Sequence, residues 1–180
     1  MMSGPPRLEQ FNAAYDAMQD RILLRIRTTD LAEYRFWITR RFLSLLWPLL
    51  MKMVDGFSAA KAPGDPLTRS TLAELAHGEA VSKADFTSQY HDGETFPLGA
   101  EPVLLARISL RPQVGDTQTL ALLPNEGQGV NLDLDERLVH VFARLLQQAA
   151  SGAEWGLKLD ISPDSTMVGA DATAGPRRLH

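Results

Sequence analysis

The chain has 180 residues, 44% of them apolar and 22% charged, with a formal net charge of −4. That length and balance predict one globular domain with short tails and a core of useful size. The mildly acidic total supplies no general attraction to nucleic acid or anionic membrane. The chain contains no cysteine, which excludes disulfides, zinc–thiolate sites and thiol catalysis.

Residues 1–7 are rich in Pro and Gly, lack the apolar run of a signal peptide and read as a flexible N-terminus. Leu8 to Tyr15 has no clear period and reads as strand or helix. Asp16 to Asp20 reads as a turn. Arg21 to Arg27 is the clearest strand, because Ile22, Leu24 and Ile26 alternate with Leu23, Arg25 and Arg27. Glu33 to Ile38 alternates likewise, with Tyr34, Phe36 and Ile38 on one face and Arg35 and Trp37 on the other.

Thr39 fits an N-cap, and apolar residues at helical spacing predict a helix from Arg40 toward Met53. Pro48 is expected to kink or interrupt it, and Asp55-Gly56 to stop it. The most apolar stretch, Phe42 to Val54, is shorter than the roughly 20 residues a membrane span needs, so it reads as a buried helix. A cytoplasmic protein with no membrane partner is the expectation.

Phe57 to Thr68 reads as a linker. A capping box at Thr71–Glu74 predicts a helix from about Leu72 to Lys83. Asp85 to Gly99 reads as extended or looped, with Asp92-Gly93 as a turn signal. Val103 to Leu110 and Gln118 to Leu123 are predicted strands, Asn125 to Gly129 a hairpin turn, and Val130 to Leu134 a further strand. Asp135 is placed to cap a helix from Glu136 to Ala150. Ala153 to Ile161 is expected to add a final strand, and residues 162–180 to be a disordered tail.

A shift of 96 positions lays Leu8–Leu50 on Leu104–Leu146 without a gap. Leu24 falls on Leu120, Phe36 on Leu132, and the cap Thr39 on the cap Asp135. Two readings fit: duplication, or two units that share only the apolar periodicity physics imposes. Either predicts an α+β fold of two antiparallel β-meander-plus-helix units packed as one domain over residues 8–161. The units span 8–54 and 101–150, joined by the linker and helix of 57–100, with each meander covered by the helix that follows it.

No catalytic spacing emerges. His77, His91, His140 and His180 contain no i, i+4 pair and no HExxH motif, and read as structural or surface groups. There is no GxSxG and no phosphate loop; the glycines of Glu126–Gly129 lie between strands, where positive φ serves a hairpin. Asp133, Asp135 and Glu136 are either a cation site or an acidic helix start, and the second reading is favoured. No cofactor or metal is implied, and no catalytic residue is assigned.

The strongest candidate site is basic. Arg25, Arg27, Arg35 and Trp37 share the strand face opposite Ile22, Ile26 and Phe36, with Arg40 and Arg41 nearby. From Arg21 to Arg41 six arginines meet only Asp30 and Glu33, a local net of +4. Guanidinium beside indole on a sheet suits single-stranded nucleic acid, the first pairing with phosphate and the second stacking a base. The same residues also suit cross-strand ion pairing, or a protein partner or second copy, since the second unit offers a neutral to acidic counterpart face.

The stretch Tyr15-Asp16 through Asp20-Arg21-Ile22-Leu23-Leu24-Arg25, followed by Tyr34-Arg35-Phe36-Trp37-Ile38-Thr39-Arg40-Arg41, resembles a family of uncharacterised bacterial proteins, best over the first fifty or so residues. That resemblance implies no activity. The sheet-then-helix order, given twice, is similar in topology to the PUR and Whirly single-stranded nucleic-acid-binding folds, from which the acidic total and the non-basic second unit depart. The sequence therefore supports a non-catalytic interaction or dimerisation module, with a single-stranded nucleic-acid binder as the alternative.

Overall fold

The computed structural model describes residues 5–62, 64–84 and 89–161. The tail assigned to residues 162–180 lies outside them. The elements in chain order are β1 (Leu8–Asp16), β2 (Arg21–Thr28), β3 (Glu33–Ile38), α1 (Arg40–Lys61), α2 (Pro66–Lys83), β4 (Val103–Leu110), β5 (Thr117–Pro124), β6 (Val130–Asp135) and α3 (Glu136–Ser151). The fold is α+β. Six strands form one mixed sheet in chain order, with β1-β2-β3 and β4-β5-β6 each antiparallel. The two meanders join through a short parallel pairing of β3 with β4, Phe36 opposite Val103 and Trp37 opposite Leu104.

The alternation read in the sequence sets which side chains face inward. Ile22, Leu24, Ile26, Phe36 and Ile38 are fully buried, as are Leu120, Leu122 and Leu134. Each such side chain contributes roughly 1.5–3 kcal/mol on leaving water. Both expected caps are made: the Phe42 amide donates to Thr39 Oγ1 at 3.1 Å, and the Leu138 amide to Asp135 Oδ1 at 2.8 Å. The strands β2 and β5 lie 96 positions apart at both ends (21 to 117 and 28 to 124), as do the starts of α1 and α3 (40 to 136).

Several expectations are corrected. Of the two readings for Leu8–Tyr15, strand is the one found: β1 is an edge strand with a register irregularity between Leu8 and Gln10. The helix begun at Arg40 passes through Pro48 and Asp55-Gly56 to Lys61. Its apolar stripe continues past both breakers through Met51, Met53, Val54 and Phe57, all buried, and that packing outweighs the lost Pro48 hydrogen bond. Gly56 serves close approach instead of termination: a Cβ there would sit 3.2 Å from the Gln118 side-chain nitrogen of β5. The expected linker is mostly helical. The second helix starts at Pro66, with Asp65 accepting from the Leu67 amide, while the Thr71 hydroxyl donates to the Leu67 carbonyl inside the helix.

The helices also cross between the meanders. β1 of the first meander packs against α3, with the Phe11 and Phe142 rings stacked at 4.9 Å, and α1 packs against β4. The three helices pack on one another, and a single core joins both halves. Residues 153–161 form no strand. They dock as an irregular segment: Trp155 Nε1 donates to Asp20 Oδ1 at 2.8 Å, and Trp47 Nε1 to the Asp160 carbonyl at 3.3 Å. The α1 helix is long and apolar enough to span a membrane by length and composition, but its apolar residues are largely spent on this core.

Candidate interaction surfaces

The pleat places Arg25, Arg27, Arg35 and Trp37 on the outward face of β2 and β3. Register sets Arg25 directly opposite Arg35, a repulsive cross-strand pair unless acids intervene. The chain supplies them. Arg25 bonds Asp92 at 2.9 Å and Asn12 at 3.1–3.2 Å, and its guanidinium lies over the Tyr90 ring at 4.2 Å. Arg27 pairs with Glu9 and donates to the His91 carbonyl. Arg35 pairs with Glu33, donates to the Ala100 carbonyl and covers the Phe96 ring at 4.7 Å.

Glu33 anchors this arrangement. It is fully buried, and its carboxylate accepts from the Gly93 amide at 2.6 Å and from Arg35 at 2.5 Å. Burial alone would raise the Glu33 carboxyl. The Gly93 amide and the Arg35 and Arg25 charges outweigh that and hold it below the usual carboxylate range. Burial pushes the Tyr90 hydroxyl well up, helped by the Glu33 charge. A Cβ on Gly93 would lie 2.5 Å from Glu33 Cβ, so only glycine fits that approach. The segment 89–100 thus ties down the arginines that sequence singled out. Trp37 is half-buried, with Leu23 and Leu104 as its cross-strand neighbours. The structure does not gather Arg40 and Arg41 with them: Arg40 donates to the Trp155 carbonyl at 2.9 Å, and Arg41 is exposed on α1.

The outward face of β4–β6 is different. Leu104, Ser109, Thr119, Leu123 and Asn131 line it together with Arg107, which lies opposite Leu123, and Asp133, which lies opposite Thr119, while Ala121 on the same face is buried. Leu104 is 45% exposed. Among the described residues, no segment ties across this face as 89–100 does across the other. Each of the three acids at the β6–α3 junction has an internal partner: Asp133 accepts from the Thr119 hydroxyl, Asp135 caps α3, and Glu136 pairs with Lys61 at 2.5 Å.

One constellation was not read from sequence. His77 of α2 and His140 of α3 meet with their Nδ1 atoms 3.1 Å apart, so one ring donates and the other accepts. His140 is fully buried and its Nε2 has no partner among the described residues. Burial, then the His77 and Lys61 charges, lowers its pKa to about 4. Burial and Arg144 lower that of His77 as well. Two histidines 63 positions apart on different helices leave no spacing signal. Among the described residues no three His, Asp or Glu side chains gather as a metal site. No family model matches the chain, and neither a curated protein nor a solved structure does.

Proposed function

We propose that this chain is a non-catalytic interaction module of the cytoplasm that pairs with a second copy of itself through the outward face of β4–β6. The observation that carries this reading is the contrast between the two sheet faces. The first is tied down by residues 89–100 of its own chain, while on the second Leu104 stands 45% exposed and Arg107 is the one charged side chain of β4. An exposed leucine on such a face can meet its own copy across a two-fold axis. The competing reading, a single-stranded nucleic acid on Arg25, Arg27, Arg35 and Trp37, requires the ligand to displace Asp92, Tyr90 and the Ala100 carbonyl from those arginines.

Light scattering over a concentration series tests the proposal. The expected result is a dimer that Leu104→Asp converts to a folded monomer. A wild-type chain that stays monomeric at high concentration, or a Leu104→Asp variant that stays dimeric, overturns it.

A further inference from the structure

The sheet has a second unsatisfied feature, which adjoins the proposed dimer face at Asp133. The strand β6 is paired on one side only among the described residues, so alternate backbone amides and carbonyls along its other edge lack strand partners. Position for position it matches β3. Each is the third strand of an antiparallel meander, and each leads into a capped helix. At that edge β3 receives β4 in parallel, Val103 beside Phe36 and Leu104 beside Trp37. The offset of 96 that relates β2 to β5 carries Phe36 and Trp37 onto Leu132 and Asp133.

Among the described residues, the lead-in 5–7 does not fill this edge. Pro5 and Pro6 have no amide hydrogen to offer, and the Arg7 amide and carbonyl are committed to Thr29. A groove of about 770 Å³ remains between that lead-in and β6. Its charged side chains are Asp116, Asp133 and Asp135 against Arg7. A second copy is a poor occupant, since antiparallel pairing of β6 with β6 sets Asp133 and Asp135 of the two chains against one another.

We propose that the free edge of β6 accepts an extended basic peptide segment of a partner protein as a seventh, parallel strand. It places an apolar residue beside Leu132 and a lysine or arginine beside Asp133. Main-chain hydrogen bonds then supply affinity, and the acidic rim supplies selectivity for cationic sequence.

A fluorescein-labelled peptide Ser-Lys-Val-Lys-Val-Lys-Ser, followed by anisotropy and by amide exchange of the full chain, tests this. The expected result is salt-sensitive binding that protects amides within Val130–Asp135. It is weakened about tenfold by Asp133→Lys, whose fold is verified by circular dichroism. N-methylation of one alternate set of peptide residues is expected to abolish binding. Equal binding of a glutamate-for-lysine peptide, equal binding with either set N-methylated, or protection confined to other strands overturns the proposal. Protection of the β6 edge amides in a self-associated chain without peptide overturns it in favour of a second copy.

Discussion

His140 is neutral inside the fold and mostly charged outside it across the mildly acidic range, so acidification favours unfolding. Its pKa falls from 6.5 to about 4 on folding, chiefly through burial. Between those values the unfolded chain binds more protons. The stabilisation is therefore complete above pH 6.5 and is lost as pH falls toward 4. Taking the chain from pH 7 to pH 5 removes about 2 kcal/mol through this residue alone. His77 adds a loss of the same sign. The carboxylates held low, Glu33, Asp65 and Glu79 among them, lose their contribution only below their ordinary values of 3.8–4.5, so pH 5 isolates the histidines. Lys61 and Arg144 are the cations that face the pair, and Glu136 is paired with Lys61. Urea midpoints at pH 7 and pH 5, compared between wild type and His140→Leu, measure the effect. The wild type should lose most of that 2 kcal/mol and the variant much less. An equal slope in both would refute the assignment.

Replacing Pro48 by Ala restores a backbone donor inside α1. Because the proline is exposed, the swap should stabilise by about 2 kcal/mol, read as a higher thermal midpoint. Gly93→Ala forces a methyl onto Glu33 Cβ and the Leu31 carbonyl, at 2.5 and 2.9 Å. It should cost about 1–3 kcal/mol in urea and speed proteolysis within residues 89–96.

The inner strands were legible because period-2 alternation is local: Ile22–Leu24–Ile26 and Val130–Leu132–Leu134 each declare a buried face. The caps at Thr39 and Asp135 were legible for the same reason, since a capping side chain bonds amides three residues away. The edge strand β1 was not. Its residues are only partly buried, so Leu8–Tyr15 carries no clean alternation. Pro48 and Gly56 misled because local propensity is small against the burial of Met51, Val54 and Phe57 on either side of them. The basic face was located correctly on the sheet, but its acidic and aromatic partners Asp92, Tyr90 and Phe96 come from a loop some 65 positions away. No window along the chain reveals that pairing, nor the meeting of His77 with His140.

The crossing of α3 onto β1 has a bearing on biosynthesis. During synthesis β1 finds its packing partner, Phe142 against Phe11, only after about 130 further residues have followed it. Until then Phe11 and the apolar side of β1 stay uncovered, and the early meander is exposed to mispairing. Contacts so distant along the chain slow the search for the native state. Truncation before α3 leaves β1 without that cover.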